Sequence, residues 1–179
     1  KQASPTSPIG TRSNTTPRGS YLDALSPLTV TLGVQNVSFV AQAVDWIPES
    51  LFQILTAAYR HRGFSFVRIL QRCPEFVGNM FEPWVHDPQR MLMLTHADGI
   101  RVSPALQKIY RNQLPHDPAD INRAREIASS EDPIPVGILY RNPEVPCYED
   151  LRGAGKLRTA DQVRGALDGE LDKFTVWPQ

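Results

Sequence analysis

Two apolar runs with an amphipathic segment between them form the most regular part of the sequence. Residues 37–41 and 64–70 are rich in β-branched and aromatic side chains, as expected of buried strands. Residues 48–62 begin with proline, precede a glycine and carry one apolar helical face, formed by Leu51, Ile54, Leu55 and Ala58. The pattern predicts a strand–helix–strand unit whose two strands are parallel neighbours joined by a right-handed crossover.

Further elements are predicted on both sides of this unit. Ser26 followed by Pro27 is typical of the start of a helix. Asp117 and Pro118 have the same pattern, and their helix should continue to about residue 129. An apolar run at 134–140 predicts a third strand, which we expect to lie parallel to the first two in one sheet.

The segment 75–115 interrupts this alternation of helices and strands. The apolar stretches Met91–Leu94 and 100–102 flank a His-Ala-Asp-Gly turn at 96–99. Two short apolar arms around such a turn are typical of a β-hairpin. We therefore expect a hairpin-containing insertion on the sheet.

The order of elements predicts an α/β fold, a mostly parallel sheet with flanking helices in a single domain of residues 1–179. Residues 1–25 are rich in Pro, Ser and Thr and should form a turn-rich loop. Thr159 and Gln162 have the spacing of a capping box, which predicts a C-terminal helix over 159–174. Because the regular pattern starts like the middle of a fold, we expect the loop of residues 1–25 to lie in the interior of a larger protein.

Composition narrows the class of protein. The 179 residues carry 19 Lys and Arg against 19 Asp and Glu, so the formal net charge is zero. A general nucleic-acid binder needs a basic surplus, which this chain lacks. No apolar stretch approaches the ~20 residues that span a bilayer. Two Cys residues do not form a disulfide framework, so we expect a reducing compartment, the cytoplasm.

Cys73 is the side chain whose predicted position best fits a ligand-binding or redox role. It follows the strand predicted at 64–70, and parallel sheets bind ligands at the carboxyl ends of their strands. The thiol is either a ligand or redox group at this edge or a small packing residue. Cys147 lies in a Pro-flanked loop and is expected to pack there. The four His residues lack metal-ligand spacing, and no Gly-rich phosphate loop or nucleophile elbow is present.

Several stretches resemble one family. The opening Lys-Gln-Ala-Ser-Pro-Thr-Ser-Pro and the following Thr15-Thr-Pro-Arg-Gly resemble the segment after the thiamine-diphosphate motif in β subunits of 2-oxoacid:ferredoxin oxidoreductases. Ser38-Phe-Val-Ala, the stretch from His61 to Leu70-Gln-Arg-Cys73, and Pro135-Val-Gly-Ile-Leu-Tyr are similar to strands and a helix of that family. The resemblance covers most of residues 1–75 and 115–150.

The resemblance implies an oxidoreductase with thiamine diphosphate, Mg²⁺ and a [4Fe–4S] cluster. Such an enzyme oxidatively decarboxylates a 2-oxoacid, 2-oxoglutarate or pyruvate, with coenzyme A to an acyl-CoA and reduces ferredoxin. Cys73 matches the last cluster ligand of the family. The resemblance implies that Lys1 is the lysine near the substrate carboxylate or its immediate neighbour, and the alternative is a solvated lysine without this role. The resemblance also implies that hydroxyl groups of the cofactor loop, residues 1–25, line the cofactor site. They belong to Ser4, Thr6, Thr15 and Thr16.

The family's remaining ligands do not occur in this sequence. The Gly-Asp-Gly…Asn motif that holds Mg²⁺ and the diphosphate lies upstream in the family, as do the Cys-x-x-Cys pair and the third cluster Cys. The chain therefore resembles the C-terminal portion of a β subunit, and we do not expect it to be active alone. The implied partners are the N-terminal half of this subunit and an α subunit. The alternative is a non-catalytic α/β interaction domain that packs on a partner subunit.

Overall fold

The chain forms two compact units, Lys1–Val145 and Pro146–Gln179. The structure is a computed structural model that describes residues 3–75, 79–97, 103–153 and 159–176. In these ranges the first unit contains five α-helices and five strands, and the second contains two helices. No helix within them is long and apolar enough to cross a membrane.

The elements of the first unit alternate along the chain. In order they are α1 Pro27–Leu32, β1 Phe39–Val44, α2 Pro48–Arg60, β2 Ser65–Leu70, α3 Glu82–His86, a 3₁₀ turn at Pro88–Arg90, β3 Met91–Thr95, α4 Pro104–Ile109, β4 Gln113–Pro115, α5 Ile121–Ala128 and β5 Ile134–Arg141. The second unit contains α6 Tyr148–Leu151 and α7 Ala160–Asp172.

Capping side chains begin several of these helices where the sequence predicts. Ser26 accepts a hydrogen bond from the backbone N–H of Thr29 at the start of α1. The capping box of Thr159 and Gln162 is formed at the start of α7. These polar side chains satisfy backbone N–H groups that have no partner inside the helix.

The start predicted for α5 is wrong by three residues. Asp120, and not Asp117, caps the helix and accepts hydrogen bonds from the N–H groups of Asn122 and Arg123. Asp117 instead accepts from the N–H of Ala119 at 2.9 Å in the preceding turn. Both aspartates suit a cap, and the buried helical face, which starts close to Asp120, selects the second one.

The strand–helix–strand unit has the predicted arrangement. The sheet has the strand order β2-β1-β5-β3-β4. β1 and β2 are parallel, in register from Phe39 opposite Ser65 to Val44 opposite Leu70. α2 connects them and packs on β1, so the predicted parallel pairing and its helical connection are confirmed for these two strands.

The direction predicted for the strand at 134–140 is wrong. β5 is antiparallel to β1, with Val40 opposite Tyr140, and parallel to β3, with Met91 opposite Ile134. A buried apolar run identifies a strand and does not encode its direction, which the intervening chain determines. Three of the four strand pairings among the described residues are nevertheless parallel, and the prediction of a mostly parallel sheet is confirmed.

The segment 75–115 provides two neighbouring strands of the sheet, and β4 is the outermost of them. β3 and β4 pair in parallel, from Met93 opposite Gln113 to Thr95 opposite Pro115, with α4 between them. The second arm of the predicted hairpin, 100–102, lies outside the described residues. β3 pairs with parallel strands on both sides, so the arrangement within the described residues is a second parallel unit and not a hairpin.

The core lies on both faces of the sheet. Phe39, Ala41 and Ala43 of β1 pack on one face together with Ile54 of α2. Val40 packs on the opposite face in a cluster with side chains of α1 and α5, namely Leu28, Leu32, Ala124, Ile127 and Ala128. This alternation follows from the two-residue period of a strand and defines three layers, helix, sheet and helix.

Candidate functional site

Cys73 lies three residues beyond the last residue of β2. Its thiol is free and half-buried, and its N–H donates to the carbonyl of Gln71 at 3.0 Å. Cys147, in the second unit, is also free, and its Sγ donates to Glu149 Oε2 at 2.5 Å. The two cysteines are therefore not paired, as expected. The strand bounds place Cys73 past the carboxyl end of a parallel strand.

Asp45 fixes the chain that leads to Cys73. Its N–H donates to the carbonyl of Leu70 at 3.1 Å. Its carboxylate accepts from the N–H of Arg72 at 3.2 Å and from Arg72 Nε at 3.0 Å. Because β1 and β2 are parallel and in register, the residues that follow them are neighbours at the same edge of the sheet.

A row of aromatic rings continues along this edge. Trp46 packs on Phe81 with ring centroids 5.7 Å apart, and Phe81 packs on Trp84 at 6.2 Å. The guanidinium of Arg90 lies 5.0 Å from the centroid of the Trp84 ring. Asp132 accepts from Arg90 Nη2 at 2.6 Å and from Trp84 Nε1 at 3.2 Å. The hydrogen bond from Arg90 holds the pKa of Asp132 below its ordinary value.

The hydroxyls predicted for the cofactor loop form two small clusters. Ser4 Oγ lies 2.9 Å from Thr6 Oγ1. Thr15 Oγ1 and Thr16 Oγ1 lie 3.1 and 3.3 Å from Ser13 Oγ. The N–H of Ala3 donates to the same Ser13 Oγ at 3.2 Å and thereby brings the two clusters together.

The loop is closed on itself by backbone hydrogen bonds. Gly10 N–H donates to Ser20 O at 2.8 Å, and Ser20 N–H donates to Thr11 O at 3.0 Å. Gly19 has a φ of +95°, and a Cβ there would lie 3.0 Å from Gly10 O, so a glycine is needed. No hydrogen bond among the described residues joins this loop to Cys73, and Lys1 lies outside the described residues.

A cavity that the sequence does not reveal lies at the opposite edge of the sheet. It has a volume of about 380 Å³ and its lining includes His96, His116, Asp117 and Arg141. β3, β4 and β5 run parallel to one another and opposite to β1, so their carboxyl ends lie at this edge. Predicting this cavity from sequence would have required the direction of β5. The pattern of apolar residues does not encode that direction.

His116 is held by the structure in one tautomer. Its ring Nε2 lies 2.8 Å from the carbonyl oxygen of Ile138, and its backbone N–H donates to the carbonyl of Thr95 at 3.0 Å. A carbonyl oxygen can only accept, so Nε2 carries the proton. The ring of His96 packs edge-on to that of His116, with centroids 6.0 Å apart. Through its hydrogen bond to Ile138, the His116 side chain joins the end of β4 to β5.

His61, at the end of α2, gives a testable pH dependence. Its ring packs on Phe39 at 5.3 Å, and its Nε2 is buried. Burial, and secondarily the positive charge of Arg141, lowers the pKa of His61. The unfolded chain therefore takes up a proton before the folded chain does. We expect the free energy of unfolding to fall as the pH drops from ~6.5 through the lowered pKa.

Urea titrations at a series of pH values check this expectation. His61→Gln removes the titrating group. The slope of the free energy of unfolding against pH below ~6.5 should therefore decrease, by an amount that corresponds to the uptake of up to about one proton on unfolding. An equal slope in the wild type and the variant would show that burial does not shift this imidazole.

Several known proteins are similar in sequence to this chain. The family of C-terminal regions of the pyruvate ferredoxin oxidoreductase beta subunit matches residues 105–155. A 2-oxoacid:ferredoxin oxidoreductase subunit beta of Sulfolobus sp is 27% identical over 154 residues, which are 83% of this chain and 46% of that protein. The 2-oxoglutarate oxidoreductase subunit KorB of Mycobacterium tuberculosis is 35% identical over 101 residues, 55% of this chain and 27% of that protein.

A solved structure has a similar fold. The 2-oxoglutarate:ferredoxin oxidoreductase from Magnetococcus marinus, with 2-oxoglutarate, coenzyme A and succinyl-CoA bound, matches with a TM-score of 0.63 and 24% identity. The match covers 93% of this chain and 52% of that chain. The fold class is thereby confirmed, and so is the resemblance to β subunits of 2-oxoacid:ferredoxin oxidoreductases. The chain spans about half the length of the Sulfolobus protein.

Proposed function

We propose that the chain is part of the β subunit of a 2-oxoacid:ferredoxin oxidoreductase. The observation that carries this proposal is the similarity to the Sulfolobus β subunit over 83% of the chain. The complete enzyme would oxidatively decarboxylate a 2-oxoacid, transfer the acyl group to coenzyme A and reduce ferredoxin. Relatives named for 2-oxoglutarate, and the solved structure with 2-oxoglutarate and succinyl-CoA bound, favour 2-oxoglutarate over pyruvate as the substrate.

Cys73 is proposed as one thiolate ligand of a [4Fe–4S] cluster. A free, half-buried thiol beyond the carboxyl end of β2 suits this role. Among the described residues, no group of three or more His, Cys, Asp or Glu side chains could hold a metal ion. The chain therefore fits one of the four cluster ligands, and the other three would come from the preceding portion of the subunit. When bound, the cluster would supply one-electron transfer and thiamine diphosphate would supply the electron sink that decarboxylation of a 2-oxoacid needs.

The loop hydroxyls are proposed to face the cofactor. Ser4 with Thr6, and Thr15 with Thr16, are held in two clusters that Ala3 and Ser13 connect. Hydroxyls can donate to diphosphate oxygens, and a backbone fixed by internal hydrogen bonds would present them in one arrangement. Lys1 is proposed to pair with the substrate carboxylate by its positive charge. Mg²⁺ would bind to the preceding portion together with the diphosphate.

An exposed apolar face on α2 supports association with other chains or with the rest of the subunit. Phe52 and Tyr59 are 72% and 90% exposed. Exposed aromatic side chains on one helix are typical of a surface that a partner covers. The proposed partners are the α subunit, the preceding half of the β subunit and ferredoxin, in the cytoplasm. A non-catalytic interaction domain would share this face, and only the chemistry at Cys73 separates the two proposals.

Reconstitution tests the proposed function. The chain purified alone should bind neither thiamine diphosphate nor Mg²⁺ at micromolar concentrations in calorimetry, because the Gly-Asp-Gly…Asn motif that holds Mg²⁺ and the diphosphate in the family does not occur in this sequence. When it is produced with the preceding portion and the α subunit, coenzyme-A-dependent reduction of ferredoxin by a 2-oxoacid should appear. An assembled complex that binds thiamine diphosphate but oxidises neither 2-oxoglutarate nor pyruvate would contradict the proposal. So would a tight, Mg²⁺-dependent cofactor site on the chain alone.

A further inference from the structure

We propose that Asp45 is the positioning residue for the cluster ligand Cys73. The proposal rests on the function proposed above and adds to it a residue with no ligand role of its own. Asp45 lies one residue beyond β1, and Cys73 lies three residues beyond the neighbouring parallel strand β2. The two residues are separated by 28 positions in sequence, and the sheet brings their segments together.

Three contacts hold the chain between the end of β2 and Cys73. Asp45 N–H donates to Leu70 O at 3.1 Å, which extends the β1–β2 pairing by one bond. Asp45 Oδ2 accepts from the Arg72 backbone N–H at 3.2 Å, and Oδ1 accepts from Arg72 Nε at 3.0 Å. The carboxylate therefore binds both the main chain and the side chain of the residue next to Cys73.

The aromatic row supports the side chain of Arg72. Its guanidinium carbon lies 5.8 Å from the centroid of the Trp46 ring, and Trp46 packs on Phe81 at 5.7 Å. A guanidinium that is stacked on a ring and bound to a carboxylate has little rotational freedom. Asp45 and Arg72 together form a clamp on residues 70–72.

The clamp has a local rather than a global effect. The side chains of Arg72 and Asp45 are 48% and 27% exposed, and ion pairs of this kind contribute little to overall stability. Residues 71–73 are outside helices and strands. Surrounding contacts must hold a metal ligand in the orientation that the metal requires. This applies to Cys73, because the other three proposed ligands belong to a different part of the subunit. Removing Asp45 should therefore loosen Cys73 and leave the fold intact.

Thiol reactivity in the full chain tests this step without the cluster. All variants carry Cys147→Ser, so that the alkylation rate reports on Cys73 alone. Asp45→Ala should raise the second-order alkylation rate by about threefold or more, because local opening exposes the thiol. Asp117→Ala is the matched control, since Asp117 also accepts a backbone N–H in a turn and lies at the opposite edge of the sheet. Its rate should equal that of the parent.

Asp45→Asn separates hydrogen bonding from charge. An effect that came only from the lost negative charge would be equal in the Asn and Ala variants. Asn keeps one carbonyl oxygen that can accept from the Arg72 N–H, so its alkylation rate should stay close to that of the parent. Equal acceleration in both variants, or no acceleration in Asp45→Ala, would overturn the positioning role.

The assembled enzyme supplies a spectroscopic readout. Asp45→Ala should broaden or shift the electron paramagnetic resonance signal of the reduced cluster and should speed its loss to an iron chelator by about threefold or more. Unchanged spectra and chelation rates would overturn the proposal. A wrong ligand assignment can be distinguished from a wrong positioning role. If Cys73 is not a ligand, the cluster stays intact in Cys73→Ser, and the effect of Asp45→Ala on the alkylation rate in the chain is unchanged.

Discussion

In the assembled enzyme, Cys73→Ser is expected to abolish the visible absorbance of the [4Fe–4S] cluster or reduce it severely. The rate of electron delivery to ferredoxin should fall by about 100-fold or more. Mutation of residues that only support a metal ligand already lowers metal affinity or activity by about 10- to 100-fold, and loss of the ligand itself should cost at least as much. A serine oxygen is a much harder ligand than a thiolate and binds iron–sulfur iron poorly. Because the proposal assigns a single cluster ligand to this chain, we expect no other residue of it to compensate for the lost thiol.

Cys147→Ser is the matched control. It makes the same atomic change at the other free cysteine, whose Sγ is engaged with Glu149. The control should retain the cluster spectrum and ferredoxin reduction. The visible spectrum and the melting curve of each variant, recorded side by side, distinguish the two roles of Cys73. An intact cluster with a lower melting temperature in Cys73→Ser would mean that Cys73 is a packing residue and would remove it from the site.

The sequence pattern predicts the local elements because each depends on nearby residues. The caps of α1 and α7 are formed by Ser26 and Thr159, whose partners lie three positions away. The parallel pairing of β1 and β2 follows from two apolar runs joined by one helix. Asp117 shows the limit of this reasoning, since two aspartates suit the same cap and only packing selects between them.

The parts that could not be predicted depend on contacts that are distant in sequence. The antiparallel pairing of β5 with β1 depends on the path of about half the chain between them. The cavity near His116 and Arg141 lies at the carboxyl ends of β4 and β5, so its place depends on the direction of these strands. The contact of Asp45 with Arg72 spans 27 positions and leaves no periodic signal. The position of Cys73 follows from the strand before it, while its role as a ligand stays a prediction.

Gly137→Ala is expected to destabilise the fold by about 2–4 kcal/mol, the sum of an overpacking term and a backbone term. Gly137 lies in β5 with a φ of +137°, which L side chains rarely adopt. An added Cβ would lie 2.9 Å from Leu94 Cβ and 3.1 Å from Leu94 O. Neither atom can rotate away, because both are fixed by the backbone of β3. The close approach of β3 and β5 therefore requires a residue without a side chain.

Thermal and urea unfolding of the chain check this expectation. A loss of 2–4 kcal/mol corresponds to a fall in melting temperature of about 5–15 °C for a chain of this size. Gly10→Ala is the control, since Gly10 also has a positive φ, +81°, but has nothing within 4 Å of an added Cβ. It should cost only the backbone term, about 1 kcal/mol. Equal losses in the two variants would show that backbone conformation, and not the contact with Leu94, limits residue 137. A larger loss in Gly137→Ala is the expected result and would mean that the close spacing between β3 and β5 depends on this glycine.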